Sequence, residues 1–203
     1  FGAKEYSLMR RYVVNASVLA AGISIAIAVV TALFCRQILI LIRTPENILD
    51  GAYLYLVIIF IGIPFTVLYN LAAGILRSLG DSKSPFLFLV ISTVINVIGD
   101  LVCILVFGMG VEGAAISTIV AQAISGICCV LYMKKRFAIL KLERQEEKLS
   151  SHRMKILLGM GVPMGLQFSI TAIGSVILQS AVNTLGSTVV AAFTAGMKVK
   201  QFT

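Results

Sequence analysis

The sequence predicts an all-α fold, a polytopic bundle of membrane-spanning helices. Three observations carry that expectation. Of the 203 residues, 59% are hydrophobic and only 13% are charged, with a mean hydropathy of +0.99. A soluble domain of this size carries far more charge and an amphipathic pattern. The apolar residues also come in blocks long enough to cross a bilayer, which takes roughly 20 residues of helix. Finally, the net charge of +8 is concentrated between alternate blocks.

The first block, Tyr12–Phe34, contains Asn15, Ser24 and Thr31, which are read as packing or helix-bridging residues. An outer loop, Cys35–Gly51, leads into the second block, Ala52–Leu76, where Pro64 is expected to kink the helix and Gly62 and Gly74 to allow close approach. Arg77–Pro85 is a short inner turn. Gly80-Asp81 marks the turn itself, and Pro85 suits the first position of the next helix. The third block, Pro85–Phe107, is joined by the tight turn Gly108-Met109-Gly110 to the fourth, Val111–Met133. Lys134–Lys155 is the one long polar segment, with Glu143, Glu146 and Glu147 among basic residues. A fifth block, Ile156–Ala181, follows, and a sixth begins near Thr188 and is still running at Thr203. The expected organisation is therefore a four-helix part (1–133), a linker (134–155) and the start of a second bundle (156–203), within a longer chain.

Charge sets the orientation. Lys4, Arg10, Arg11, Arg77, Lys83, Arg153, Lys155 and the basic residues between 134 and 148 fall on one side, against Arg36 and Arg43 on the other. By the positive-inside rule, residues 1–11 and 134–155 are expected on the cytoplasmic side of a multi-pass membrane protein. No folded basic surface is available for nucleic acid. The expected partners at this point are the bilayer and the rest of the same chain.

Catalysis finds little support. Cys35, Cys103, Cys128 and Cys129 follow no disulfide or zinc spacing and read as small apolar residues. His152 is the only histidine and sits in the linker. An intramembrane aspartyl protease needs two membrane aspartates, and the usual zinc protease needs HExxH; neither pattern is present. The expectation is a non-enzyme without a cofactor.

Asp100 is the informative residue. It lies inside an uncharged apolar run, and ionisable residues at membrane depth mark ion or proton pathways. Thr93, Asn96 and Asp100 share one face of the third span; Thr118, Gln122 and Ser125 share one face of the fourth. Counting from the turn at about 1.5 Å per residue, Asp100 should share a depth with Thr118, and Asn96 with Gln122. Two polar stripes at matched depth make one buried site. A carboxylate with the Asn96 amide oxygen and the Thr118 hydroxyl suits Na⁺, which takes oxygen ligands. Low dielectric favours the neutral carboxyl, so H⁺ is the other candidate. The expected cation-coupling set is Asp100, Asn96 and Thr118, with Na⁺ at Asp100 and Asn96. Gln122, Gln167, Thr171 and Lys198 are candidate cavity-lining residues.

The runs Arg77-Ser-Leu-Gly-Asp-Ser-Lys-Ser-Pro85, Asn96-Val-Ile-Gly-Asp100 and Gly108-Met-Gly-Val-Glu-Gly-Ala-Ala-Ile-Ser-Thr118 closely resemble the multidrug and toxic compound extrusion (MATE) family. The match is best to its bacterial branch resembling the DNA-damage-inducible transporters. The resemblance implies a twelve-helix, two-lobed fold of which this chain covers about helices three to eight. It implies a secondary active multidrug exporter of the bacterial inner membrane, antiporting cationic, amphipathic, drug-like small molecules against Na⁺ or H⁺. It also places Asn96, Asp100 and Thr118 in a first-lobe cation site. Another branch has a glutamate on the seventh helix; Thr171 stands at the comparable position here, which speaks against coupling through that helix. A flippase of the same superfamily, moving a lipid-linked precursor, is the alternative. Such flippases tend to line their cavity with basic residues, which the interiors of the first five spans lack, although Lys198 and Lys200 keep it open.

Overall fold

In the computed structural model the structure describes residues 5–41, 46–140, 149–183 and 193. They are mostly helical, with no strand among them, and five helical spans are long and apolar enough to cross a membrane. The helices are α1 (Tyr6–Leu41), α2 (Glu46–Ile61), α3 (Ile63–Ser78), α4 (Lys83–Leu101), α5 (Val111–Arg136) and α6 (Ser151–Asn183). The chain divides into two compact units, Phe1–Ser150 and Ser151–Thr203. That boundary falls inside the expected linker, and helix enters the linker from both ends: α5 continues to Arg136 and α6 starts at Ser151. The expected sixth block, with Lys198, lies almost entirely outside the described residues.

α1 has no proline, and its polar side chains satisfy themselves locally. Ser17 donates to the Val13 carbonyl, Ser24 to Ala21 and Thr31 to Ile27, so hydroxyls inside an apolar helix leave no unpaired donor. Asn15 does more. Fully buried, it donates to the Arg11 carbonyl at 2.8 Å and accepts the Ser150 backbone N–H at 2.8 Å. Arg10 donates to the Ile139 carbonyl at 3.1 Å. Both margins of the 141–148 stretch are thus tied to the amino-terminal end of α1.

The second block carries a one-residue break at Gly62, two positions before Pro64, which occupies the first turn of α3. There the missing proline N–H is no loss. The Gly62 N–H is shared between the Ile58 and Ile59 carbonyls, and the Gly62 carbonyl accepts from Phe65 and Thr66. A Cβ at Gly62 would run into the Ile119 side chain of α5. The glycine therefore serves close helix contact.

α5 is the hub of the first unit, packing on α2, α3 and α4. Its buried positions include Gly113, Ser117, Ala121, Ser125 and Cys129, a small residue every four positions. In lipid, helix association rests on close packing and interhelical hydrogen bonds, so small residues mark the contact face. A core of Tyr69, Ala72, Ala73, Leu76 and Cys129 closes the inner end, where the Tyr69 hydroxyl donates to the Pro85 carbonyl at 3.0 Å. Outward, Leu33 (69% exposed), Phe86 (66%) and Leu105 (75%) present apolar surface, as helices facing acyl chains do.

At the inner turn Gly80 takes φ +90°, a left-handed conformation that glycine adopts without strain. Asp81 then accepts the Ser84 N–H at 3.0 Å and the Ser84 hydroxyl at 2.7 Å. The Tyr132 hydroxyl reaches the same carboxylate from α5 at 3.1 Å. The Ser84 N–H and hydroxyl hold this carboxyl below its ordinary range, with Tyr132 adding to them against a small opposing effect of burial.

α6, in the second unit, is continuous through Pro163. Ser169, Thr171 and Ser175 donate to carbonyls four residues earlier.

Candidate functional site

The polar cluster is built on the α4–α5 hairpin, and its register is set by serines. Ser125 donates to the Phe88 carbonyl at 3.2 Å, Ser92 to Ala121 at 3.0 Å, and Ser117 to Asn96 at 2.9 Å. Each step is four residues on both antiparallel helices, so one face of α4 runs along one face of α5 without drift. Gly99 completes the fit, since a Cβ there would run into the Ser117 hydroxyl.

Asn96 sits at the centre. Its amide nitrogen lies 3.2 Å from the Thr118 hydroxyl, 3.3 Å from the Ser117 hydroxyl and 3.5 Å from Asp100 Oδ1. Thr118 in turn donates to the Ala114 carbonyl at 2.9 Å, and Ser117 to the Asn96 carbonyl. Both hydroxyls therefore have their protons directed elsewhere and offer lone pairs to the amide. Asn96 and Asp100 are half-buried. Three oxygens from two helices converge on one point, and that point is held by a nitrogen with two protons. The distances are at or beyond the long end of the N–H···O range, so the amide is loosely held.

Asn96, Asp100 and Thr118 are thus brought together, with one change of register. Asn96 faces Ser117 and Thr118, not Gln122, an offset of about five residues or roughly 7.5 Å along the axis. A small part of that offset, about one residue, arises beyond Asp100. α4 leads into a π-helical turn, Val102–Val106, where the Phe107 N–H reaches back to Val102 and the Met109 N–H to Cys103. Symmetric counting from the tight turn does not allow for that turn. Thr118 consequently meets Asp100 through Asn96. Gln122 is half-buried on α5 and makes no hydrogen bond among the described residues. Thr93 is exposed and donates to its own helix at Leu89. In the second unit Gln167 and Thr171 are exposed on α6, the Thr171 hydroxyl donating to the Gln167 carbonyl. Lys198 lies outside the described residues.

Ser117 is the residue that spacing of polar side chains alone misses. The four-residue repeat of small residues through Gly113, Ser117, Ala121 and Ser125 is the signal that marks it. Among the described residues no three His, Cys, Asp or Glu side chains converge. The donor set at Asn96 consists of one carboxylate and two hydroxyls, ligands for a hard monovalent cation or a proton carrier and not for zinc or copper.

A separate cavity of about 980 Å³ lies between α1, α3 and the inner end of α5. It does not include the Asn96 cluster and is lined mainly by Val, Leu and Ala.

Comparison with known proteins agrees with this architecture. A family model described as MatE matches residues 1–102. The "Probable multidrug resistance protein YpnP" of Bacillus subtilis (strain 168) is 35% identical over 95% of this chain and 43% of its own length. Among solved structures, the inward-facing conformation of a multidrug resistance MATE family transporter of the MOP superfamily superposes with a TM-score of 0.81. It is 22% identical, over 99% of this chain and 46% of that one. The outward-facing conformation of such a transporter superposes with a TM-score of 0.83 at 22% identity, over 94% and 43%. The chain spans less than half the length of these relatives, which are described as multidrug resistance proteins or transporters and not as enzymes. With half of its length matched by the family model and a relative 35% identical along nearly all of it, the chain belongs to the MatE family.

Proposed function

We propose that the protein carrying this chain is a secondary active multidrug exporter of the bacterial inner membrane. It moves cationic, amphipathic compounds outward by alternating access against Na⁺ or H⁺, with coupling at Asp100. Family membership and the multidrug resistance relative support the transport class. The charge asymmetry supports an orientation with residues 1–11 and 134–155 in the cytoplasm. The coupling assignment rests on one observation: the Asn96 amide nitrogen lies within 3.2–3.5 Å of oxygens from Asp100, Ser117 and Thr118. An amide N–H₂ among acceptors fills the place of a cation. Turning the Asn96 side-chain amide by half a rotation replaces the donor with an acceptor and gathers its oxygen with the other three, a set suited to Na⁺. A proton on Asp100 produces the same change of charge. Either loading removes a net negative charge from the hairpin and biases one state over the other by differential binding. Gln122, Gln167, Thr171 and Lys198 are assigned to substrate contact.

The test is Asp100→Asn in the full-length protein, with dye efflux driven by a Na⁺ gradient alone or a pH gradient alone. Ion-driven efflux should fall at least tenfold at unchanged membrane abundance, and the gradient that drives the parent protein names the ion. Undiminished efflux in the variant overturns coupling at this carboxyl.

A further inference from the structure

We propose that Ser117 is a specificity-determining residue of the coupling site, its hydroxyl being the fixed oxygen that makes the Asn96 cluster prefer Na⁺ to K⁺. The inference rests on the coupling reading at Asp100 and goes beyond it in naming the residue that sets ion choice.

Three serines tie α4 to α5 through main-chain carbonyls. Ser92 and Ser117 are equally buried, each 5% exposed. Of the three, Ser117 alone also faces a side chain among the described residues. It donates to the Asn96 carbonyl at 2.9 Å and accepts from the Asn96 amide at 3.3 Å, so it grips one residue by main chain and side chain together. A serine that served register alone would have no use for the second contact.

That second contact lies where a cation would go. The Asn96 amide has two protons for three acceptors, on Asp100, Ser117 and Thr118, so one acceptor is always left short. A proton stands about 1 Å out from its nitrogen, so N···O distances of 3.2–3.5 Å put an aligned amide proton roughly 2.2–2.5 Å from these oxygens. A hard cation such as Ca²⁺ takes its oxygens at about 2.3–2.6 Å. Na⁺ has nearly that radius, and K⁺ is larger. The oxygens therefore stand at a spacing suited to the smaller ion.

Discrimination by size needs an oxygen that does not retreat before a larger ion. Thr118 donates to Ala114 of its own helix, which fixes its oxygen relative to α5 only. Ser117 is bonded across the interface to α4, and its Oγ lies where a Cβ at Gly99 would run into it, so the two helices are already as close as glycine permits. Toward the inner end the Ser92 and Ser125 bonds hold the same register. The Ser117 oxygen is thus held in place from both helices. A small ion gives up the more tightly bound water and depends more on each oxygen that replaces it, so loss of this one weakens Na⁺ more than K⁺.

The test uses the full-length protein in proteoliposomes, with dye efflux driven by a gradient of Na⁺, of K⁺ or of pH alone. Na⁺ should drive the parent, and K⁺ should not replace it. Ser117→Ala should raise the half-saturating Na⁺ concentration about tenfold, the effect of losing one interaction with a charged group, and leave the maximal rate within about twofold. Ser117→Cys, which keeps the shape but offers a sulfur that suits a hard cation poorly, should do the same. Ser92→Ala loses an interhelical bond of the same kind at the same burial and should keep the parent's Na⁺ requirement. The proposal is overturned by Ser117 variants with the parent's Na⁺ requirement, by Ser92→Ala shifting it as far, or by a parent that K⁺ drives as well as Na⁺. A parent driven by the pH gradient alone also overturns it. The coupling reading is decided separately, since a pH-driven parent whose efflux is lost in Asp100→Asn keeps that reading and removes only the role of Ser117.

Discussion

Substituting Gly99 tests the α4–α5 register directly. A Cβ added there would run into the Ser117 hydroxyl, lie 3.2 Å from the Ser117 Cβ and 3.8 Å from its Cα. Gly99→Ala must therefore displace the hydroxyl or separate the helices. Overpacking costs about 1–3 kcal/mol. The displaced hydroxyl also gives up two hydrogen bonds, on Asn96, worth about 0.6 kcal/mol each in a membrane protein. Alanine offsets about 0.8 kcal/mol of this through helix propensity. The net expectation is destabilisation by about 1.5–3.5 kcal/mol. Adding Ser117→Gly removes both the Oγ and the Cβ and leaves the 3.8 Å contact, an ordinary van der Waals distance. Only the lost hydrogen bonds and a poorer helix former then count, so the double variant should lie about 1 kcal/mol below the parent. Unfolding of the full-length protein in mixed micelles reads both. If Gly99→Ala is neutral, or if Ser117→Gly deepens the loss instead of relieving it, the close approach of α4 and α5 at Asn96 is wrong.

Two other perturbations probe the inner end. Asp81 is held below its ordinary range, so its contribution is present above the unfolded carboxyl pKa, about 3.9, and is lost as pH falls through the lower folded value. Asp81→Asn should lower the thermal midpoint at neutral pH and flatten its dependence below about pH 4; a variant with the parent's acid limb would show that the turn does not use this carboxylate. Asn15→Ala removes the acceptor of the Ser150 N–H. A hydrogen bond worth about 0.5–1.5 kcal/mol corresponds to roughly a two- to twelvefold faster hydrogen exchange at Ser150, and unchanged protection would mean that another group holds this margin.

Much of this architecture is written in the apolar blocks, because a helix crossing lipid has few other ways to satisfy its backbone. The Asn96–Asp100 pair is legible for the same reason, since charge at depth stands out against a uniform background. Thr118 is legible as a neighbouring stripe. What the blocks do not reveal is axial register. It depends on how the chain turns between the two helices and in small part on the π-helical turn after Asp100, and nothing in Val-Cys-Ile-Leu-Val distinguishes that turn from ordinary helix. The break in the second block is half legible. Proline announces the break, but the close approach of α5 at Gly62 is a tertiary requirement invisible in local spacing. The ties from Arg10 and Asn15 to Ile139 and Ser150 join residues more than a hundred positions apart, and no periodicity connects them.

The three serine bonds along the hairpin end on main-chain carbonyls one turn apart. Sliding one helix against the other by less than a turn breaks all three at once and re-forms none. The pair is therefore a ratchet with a step of about 6 Å, four residues at about 1.5 Å each, stiff against small shear. Any bending of the first unit falls to Gly62 and Pro64, where the proline supplies no N–H to the helix ladder. A cross-link stapling α2 to α3 should arrest movement that one stapling α4 to α5 leaves intact.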